Sequence, residues 1–186
     1  ARFFGELGAG VIDADKLAHK ALARTSPIYP QIAKRFPEVC NPGGNINRRK
    51  LARLVFSSPQ RRRELEALIH PYVLDQIRYK VESSRKAVFA IEVPLLYESG
   101  FDRFCYKTVA VSTPPGRVIE RLSPKGYTRK EIEARQKAQL PAKEKERRSD
   151  FVVHNSGNHQ QTRREVKRIW RSLRPVFEKE IITHNG

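Results

Sequence analysis

Apolar residues along the chain follow two different spacings. Short, nearly continuous apolar runs predict buried strands at about residues 11–12, 87–93, 107–112 and 151–154. Between these runs, apolar residues recur at the three- and four-residue spacing of amphipathic helices. The helices predicted by that spacing lie at about 1–7, 16–24, 26–36, 47–56, 59–69, 71–84, 113–122, 129–139 and 159–179. Strands separated by helical segments indicate an α/β fold with a mostly parallel sheet.

The stretch from residue 26 to residue 84 contains several predicted helices and no predicted strand. Ser26-Pro27 and Ser58-Pro59 each resemble a helix start, with a capping serine followed by proline at the first helical position. Pro71 is expected to interrupt the helical pattern, because proline removes a backbone donor inside a helix. We therefore expect a helical subdomain inserted between two strands of the sheet.

Two carboxylates, Asp13 and Asp15, follow the short apolar pair at residues 11–12. One interpretation is structural: Asp15 caps the helix that begins near residue 16, and Asp13 is solvated. The other is functional, because ligands of open α/β sheets bind at the carboxyl ends of the strands. A carboxylate at that edge can accept a proton from a substrate hydroxyl or hold Mg²⁺ through water. One residue could cap the helix and do this chemistry.

A second predicted strand also ends in an acid, in the sequence Ile-Glu-Val-Pro-Leu-Leu, where Glu92 precedes Pro94. Leu95 and Leu96 are either core residues of a turn or the wall of a ligand pocket beside Glu92. His70 lies in an apolar helical pattern and is by itself more typical of a structural histidine than of a site residue.

Basic residues are concentrated toward the end of the chain, where Arg121, Arg129 and Arg135 flank a predicted helical hairpin. A solvated helical surface explains most of this charge. Arginines on a closing lid would instead neutralise charge on a phosphoryl group, since the guanidinium is planar and permanently charged.

Composition limits the class of protein without choosing a function. The 186 residues include 37 Lys plus Arg and 20 Asp plus Glu, a formal charge of +17 that favours polyanionic partners. The two cysteines, Cys40 and Cys105, are far apart and fit a reducing cytoplasm. No apolar run reaches the roughly 20 residues that would span a bilayer. We therefore expect no membrane partner. Because motifs of nucleic-acid-binding folds are absent from the sequence, we expect no nucleic-acid partner either.

Four stretches together resemble the dephospho-CoA kinase family, in its order and spacing. They are LGAGVIDADKLAHKAL, INRRKLARLVFSSPQRRRELEALIHPYV, AVFAIEVPLLYESG and SDFVVHNSG. The resemblance implies a three-layer, P-loop-kinase-like parallel sheet with an inserted helical substrate domain and a helical lid. It also implies ATP-dependent phosphorylation of the ribose 3′-hydroxyl of dephospho-CoA, with Mg²⁺ as cofactor.

The resemblance assigns a role to each candidate residue. Asp15 becomes the catalytic base, and Asp15 and Glu92 become candidate Mg²⁺ ligands, directly or through water. Arg121 and Arg135 face ATP from the lid, and Asn155 lies near its adenine. The residues implied to bind dephospho-CoA are Asp13, His70, Pro94, Leu95 and Leu96. The implied domains are a kinase core at 1–25, 85–120 and 148–186, a CoA-binding subdomain at 26–84 and a lid at 121–147.

The sequence departs from the family pattern at three places. His154 stands where the family usually has Asp, and the lid turn RLSPKGYT is about one residue short. The phosphate-binding loop G-x-x-x-x-G-K-[ST] is absent, and with it the strand that would lie centrally in the sheet. We expect that about 15–20 residues carrying both precede Ala1 in the native protein, and that the chain folds poorly without them.

Two other interpretations stay open from the sequence alone. The chain could be a truncated relative that binds CoA-like ligands without catalysis, or another nucleotide kinase of the P-loop superfamily. The sequence says nothing of the oligomeric state.

Overall fold

A computed structural model describes the backbone of residues 1–137 and 139–183. Side chains are described throughout these ranges except at residues 125, 131, 134, 135, 137 and 174–183. The chain divides into two compact units. Residues 11–92 form one unit, called here the helical unit, and residues 1–10 with 93–186 form the other, called here the discontinuous unit.

The helical unit contains two short strands and four helices, with one turn of 3₁₀-helix at Pro37–Val39. β1 begins one residue before the boundary of the unit. In chain order the elements are β1 (Gly10–Asp13), α2 (Ala14–Ala21), α3 (Tyr29–Arg35), α4 (Arg48–Ser57), α5 (Pro59–Glu82) and β2 (Phe89–Glu92). β1 and β2 are neighbours in a two-stranded sheet.

The core of the helical unit forms where the helices meet. Five residues at its centre are almost completely buried, namely Ala21, Ile32, Phe36, Val39 and Leu51. Leu65, Leu68 and Ile69 of α5 pack against this cluster, so the long helix contributes one apolar face along its first half. α2 also packs against α5, which fixes the helix that carries the two candidate carboxylates.

The discontinuous unit brings the first helix of the chain onto the last. Its elements are α1 (Arg2–Glu6), β3 (Val109–Ser112), α6 (Pro115–Leu122), α7 (Arg129–Lys137), α8 (Ala142–Arg148), β4 (Phe151–His154) and α9 (His159–Thr183). Val153, Val166 and Ile169 form the centre of its core, and Phe3 and Phe4 of α1 pack against them. Burial of these large side chains holds α1 on α9, although α1 is only five residues long.

β3 and β4 form a parallel pair in register, with Val109 opposite Phe151 and Ser112 opposite His154. Thirty-eight residues, 113–150, connect the two strands, and the described part of this connection contains three α-helices and a turn of 3₁₀-helix at Ser123–Lys125. A parallel pair needs such a crossover connection, as the alternation of apolar runs and helical segments predicts.

Two local predictions from the sequence are wrong, and one helix was not predicted. α5 is one helix of 24 residues that runs through Pro71, because apolar side chains on both halves of the helix pack in the unit. α3 begins at Tyr29 with Pro30 in its first turn, so Ser26-Pro27 forms a preceding turn and not a helix start. α8 was not predicted, because its seven residues, Ala-Lys-Glu-Lys-Glu-Arg-Arg, contain no apolar period.

The predicted division into a kinase core, a CoA-binding subdomain and a lid stays a prediction. Throughout the described ranges, the helices are too short or too polar to cross a membrane.

Candidate active site

The carboxylate that caps α2 is Asp13. Asp13 ends β1 with extended backbone angles, and its Oδ1 accepts a hydrogen bond of 3.0 Å from the backbone N–H of Lys16. Its Oδ2 lies 3.2 Å from Lys16 Nζ. The interpretation of Asp15 as the cap is therefore wrong. Asp13, two residues earlier, has the extended backbone of a capping residue. From there its side chain reaches the amide of Lys16, the third residue of the helix.

Asp15 occupies the second position of α2 and projects an exposed carboxylate. Neighbouring protein atoms partly desolvate this group, and that desolvation, followed by the negative charge of Asp13, raises the pKa of Asp15 above its ordinary value. The charge of His19 acts in the opposite direction and does not cancel the rise. A raised pKa makes the carboxylate a stronger base.

The helix that carries Asp15 is held in place by its buried apolar face. Ala14, Leu17 and Ala21 of α2 are buried, and they lie on the face opposite to the exposed carboxylate. Asp15 is thus free of the capping role but is held by a capped and well-packed helix.

Two other candidate residues lie in the helical unit with Asp15. His70 is exposed near the middle of α5, and Glu92 is the exposed last residue of β2. α2 contacts both α5 and β2, so the structure brings together the three elements that carry Asp15, His70 and Glu92.

The Pro-Leu-Leu segment lies in the discontinuous unit, immediately after β2. It forms a compact turn in which the N–H of Ser99 donates to Leu95 O at 3.0 Å and the N–H of Phe101 donates to Leu96 O at 3.0 Å. Gly100 closes the turn with a φ of +69°, which favours glycine. Leu95 is 41% exposed, so the turn presents an apolar side chain to solvent. Such a surface is suited to an apolar part of a ligand.

The candidates for the ATP side also lie in the discontinuous unit. Asn155 follows β4, where its N–H donates to Ser112 O at 2.7 Å and its Oδ1 accepts from Thr162 Oγ1 at 3.2 Å. Arg121, in the last turn of α6, donates to Gly157 O at 3.3 Å. The structure therefore brings Arg121 to the turn that carries Asn155. The side chain of Arg135 lies outside the described residues, and its backbone belongs to α7.

His154, which the sequence predicts to depart from the family pattern, ends β4 with an exposed side chain. Its backbone N–H donates to Glu165 Oε2 at 2.7 Å, so the end of the strand is hydrogen-bonded to α9.

The donor set for a metal ion is small. Among the described residues, no three His, Cys, Asp or Glu side chains lie close enough together to hold an ion. Mg²⁺ differs from structural metals because it keeps several waters and uses one or two protein carboxylates plus substrate phosphates. Asp15 and Glu92, two exposed carboxylates on neighbouring elements, fit that requirement in number and chemistry.

Sequence reasoning missed one part of this region, the contacts that Tyr97 and Glu98 make with residues 139–149. Tyr97 Oη lies 2.6 Å from Ser149 Oγ, and Glu98 Oε1 accepts from the N–H of Leu140 at 2.6 Å. A signal for α8 was present in Pro141, which precedes a run of helix formers. Glu144 on that helix pairs with Arg147 and Arg148 at helical spacing.

The comparisons with known proteins agree on one family. The dephospho-CoA kinase family model matches residues 1–161. The dephospho-CoA kinase of Symbiobacterium thermophilum is 39% identical over 175 residues, which cover 90% of this chain and 72% of that protein.

Solved structures agree with the fold. The crystal structure of TT1252 from Thermus thermophilus matches with a TM-score of 0.82 and 32% identity, covering 92% of this chain and 88% of the other. The dephospho-CoA kinase from Campylobacter jejuni matches with a TM-score of 0.61 and 25% identity, covering 91% and 87%. The predicted α/β, P-loop-kinase-like fold is confirmed. The chain belongs to the dephospho-CoA kinase family, whose members are kinases that use ATP to convert dephospho-CoA to coenzyme A.

Proposed function

We propose that Asp15 is the general base that this chain uses to phosphorylate the ribose 3′-hydroxyl of dephospho-CoA. A carboxylate oxygen of Asp15 takes the hydroxyl proton as the hydroxyl oxygen bonds to the γ-phosphorus of ATP. The bond from that phosphorus to the β–γ bridging oxygen breaks, and ADP leaves. The observation that carries this proposal is the position of Asp15, exposed on a helix that another carboxylate caps, with a raised pKa.

A ribose hydroxyl is a poor nucleophile, and positioning together with charge stabilisation accounts for most of the catalysis in phosphoryl transfer. In this proposal Asp13 and His70 bind the acceptor through polar groups, and Pro94, Leu95 and Leu96 supply an apolar wall. Exposure of Leu95 supports this role. The resemblance to the family assigns the domain roles: residues 26–84 form the CoA-binding subdomain, 121–147 form the lid, and 1–25, 85–120 and 148–186 form the core.

ATP binding is assigned to Arg121, Arg135 and Asn155. The contact between Arg121 and the turn after β4 supports placing two of these residues at one nucleotide. Their charge and hydrogen-bonding groups suit phosphate and base respectively.

Mg²⁺ would be held by Asp15 and Glu92, directly or through water, together with phosphate oxygens. When bound, such an ion neutralises charge that develops on the phosphoryl oxygens. The proposal also places the activity in the cytoplasm, which the two free cysteines support. Membership of an enzyme family does not favour the non-catalytic alternative.

The test is Asp15→Asn in the full-length protein, with the matched control Asp75→Asn. Asp75 is an exposed carboxylate on α5 whose Oδ1 lies 4.0 Å from Arg78. We expect Asp15→Asn to lower kcat by about 10²–10⁴-fold, the usual contribution of a general base. The unfolding midpoint should stay unchanged, because Asp13 and not Asp15 caps the helix. ADP release and the formation of coenzyme A, detected by mass, are the measurements.

Asp75→Asn should keep wild-type kcat. An Asp15→Asn variant with more than half of the wild-type kcat would contradict the role of Asp15. A wild-type protein that forms no coenzyme A would contradict the proposed reaction itself.

A further inference from the structure

The turn that carries Leu95 and Leu96 is called here the pocket turn, residues 94–100. Its own hydrogen bonds define its shape: besides the bonds at Leu95 and Leu96, Ser99 Oγ donates to Leu96 O at 3.2 Å and the N–H of Gly100 donates to Tyr97 O at 3.2 Å. These bonds close the turn on itself. They do not set its orientation, which requires contacts with another part of the unit.

Tyr97 supplies the first such contact. Its hydroxyl lies 2.6 Å from Ser149 Oγ. Ser149 Oγ also donates to Lys145 O at 2.8 Å, and a hydroxyl has only one hydrogen to donate. Tyr97 is therefore the donor and Ser149 the acceptor. The guanidinium carbon of Arg148 lies 5.8 Å from the centre of the Tyr97 ring, which adds a cation–π contact.

Glu98 supplies the second contact, at the other end of α8. Glu98 Oε1 accepts from the backbone N–H of Leu140 at 2.6 Å. Lys145 Nζ lies 4.0 Å from the same oxygen, and the side chains of Lys145 and Glu98 are only 23% and 21% exposed. Lys145 Nζ also donates to Gln139 Oε1 at 2.6 Å, so the cation lies between two acceptors. Partial withdrawal from water strengthens these bonds.

The two contacts bracket one helix. Leu140 lies two residues before α8, and Ser149 immediately follows it. α8 itself packs against β3. Adjacent residues of the pocket turn thus fasten both ends of a helix that is anchored on the sheet of the same unit.

We propose that Tyr97 and Glu98 are positioning residues that orient the apolar wall of the acceptor site by fastening the pocket turn to α8. This inference rests on the proposed function, because it assigns the wall to Leu95 and Leu96. Tyr97 and Glu98 act through that wall and do not touch the reacting atoms. Leu140 belongs to the proposed lid and Ser149 to the proposed core. The two bonds therefore connect the wall to the segment by which the chain passes from the lid to the core.

A defined kinetic effect follows from this arrangement. Loss of one bond lets the pocket turn sample other orientations, which weakens acceptor binding more than it slows phosphoryl transfer. We expect Tyr97→Phe, Ser149→Ala and Glu98→Ala each to raise KM for dephospho-CoA by about 3–10-fold, the range that one net hydrogen bond supports. For each variant, kcat and KM for ATP should change by less than about twofold.

The experiment on Tyr97 is a double-mutant cycle in the full-length protein. Tyr97→Phe keeps the ring beside Arg148 and removes only the donor. The double variant Tyr97→Phe, Ser149→Ala should raise KM no more than either single variant, because all three lack the same bond. Tyr79→Phe, on an exposed tyrosine of α5, is the matched control and should leave KM unchanged. Multiplicative effects of the two single variants would overturn the Tyr97–Ser149 connection.

The experiment on Glu98 uses a conservative rescue. Glu98→Gln retains the oxygen that accepts from Leu140, so it should keep KM within about twofold of wild type while Glu98→Ala does not. Hydrogen exchange of the Leu140 amide gives a readout that is independent of catalysis. Glu98→Ala should speed that exchange by about tenfold, and Glu98→Gln should not.

These outcomes separate the two hypotheses. Faster Leu140 exchange in Glu98→Ala together with unchanged KM in every variant would overturn the positioning role. Unchanged exchange in Glu98→Ala would overturn the connection itself. Absence of kinase activity in the wild-type protein would contradict the proposed function instead, while the exchange result would still test the connection.

Discussion

At the scale of single residues, Asp13 and Asp15 divide two tasks between them. Asp13 binds the amide of Lys16 and so starts α2, whereas Asp15 makes no such bond and keeps its oxygens available. The charge of Asp13 also helps to raise the pKa of Asp15. In a chain of net charge +17, the structure thus explains one of the two acids, Asp13, as a helix cap, and the chemical role of Asp15 is the one proposed above.

Replacement of Asp13 separates its capping role from its charge. Asp13→Ala should lower the free energy of unfolding by about 0.5–2 kcal/mol, because the Lys16 amide loses its acceptor. Asp13→Asn should cost only a few tenths, since asparagine caps equally well and the exposed pair with Lys16 contributes about 0.3–0.5 kcal/mol. Urea unfolding of the two variants measures the difference. Equal losses in both would show that the charge, and not the cap, stabilises the start of α2.

The sequence placed both acids at a strand end but did not identify the cap. Helix boundaries vary by one or two residues with the backbone angles at the junction, and composition does not reveal those angles. Likewise, the bond from Arg121 to Gly157 joins residues 36 positions apart, and helical spacing cannot predict it. Local patterns predict which residues are candidates for the site, whereas tertiary contacts decide what each side chain binds.

At the scale of elements, Asp150 connects the two strands of the parallel pair. Asp150 immediately precedes β4, and its Oδ2 accepts from both the N–H and the hydroxyl of Thr108 at 2.8 and 2.9 Å, just before β3. Its Oδ1 accepts from Lys107 at 2.7 Å. Partial burial opposes ionisation of Asp150, but the hydrogen bonds from Lys107 and Thr108 outweigh that effect and lower its pKa.

This lowered pKa predicts a dependence of stability on pH. The stabilisation is complete above the pKa of an unfolded aspartate, about 3.9, and is lost as the pH falls through the lower folded value. Acidification below about pH 4 should therefore destabilise wild type more steeply than Asp150→Asn. At neutral pH the variant should be less stable by about 1 kcal/mol, a small value because the carboxylate is partly exposed.

Urea unfolding from neutral pH to about pH 3 tests this prediction. The difference in free energy of unfolding between wild type and Asp150→Asn should shrink on acidification. A constant difference across that range would show that Asp150 does not act through its charge.

Among the elements, the four strands were predictable because each is a short apolar run that β-branched and aromatic residues dominate. α5 was predicted as two helices, because Pro71 lacks the backbone N–H that a continuous helix uses at that position. The helix continues through Pro71 because residues on both sides of the proline pack in the unit. α8 has no apolar face, and its ion pairs become visible as a signal only once the helix is known. Propensity alone decides neither case.

At the scale of the whole molecule, the ion pairs do not compensate for the repulsion that a net charge of +17 produces. Many of the ion pairs among the described residues are exposed contacts within one helix, such as Arg117 with Glu120 and Arg129 with Glu133. Pairs of this kind contribute little. Repulsion among the remaining cations therefore opposes the compact state.

Salt should relieve this repulsion. Raising NaCl from about 0.01 M to about 0.15 M shortens the screening length from about 30 Å to about 8 Å, so the thermal midpoint should rise by a few degrees. Differential scanning fluorimetry of the full-length protein measures the change, with choline chloride as a second salt to separate screening from a specific cation effect. A midpoint that falls with both salts would show that favourable ion pairs outweigh the repulsion.

The sequence predicted the fold class and the family of the chain better than it predicted individual contacts. Motifs spread from LGAGVIDADKLAHKAL to SDFVVHNSG specify one arrangement of strands and helices, and the comparisons confirm it. The assignment of Asp15, His70 and the Pro-Leu-Leu segment to one acceptor site stays a prediction. Asp15 and His70 belong to the helical unit, and the Pro-Leu-Leu segment belongs to the discontinuous unit.

The Asp150–Thr108 connection has a consequence for how the chain tolerates change in length. Because it ties the starts of β3 and β4 together, the 38 intervening residues 113–150 are a loop with fixed ends. The entropy of closing such a loop grows only logarithmically, and doubling its length costs about 0.6 kcal/mol. Insertions and deletions between the helices of this loop should therefore accumulate at little thermodynamic cost. The turn RLSPKGYT, predicted from the sequence to be about one residue short, lies in this loop.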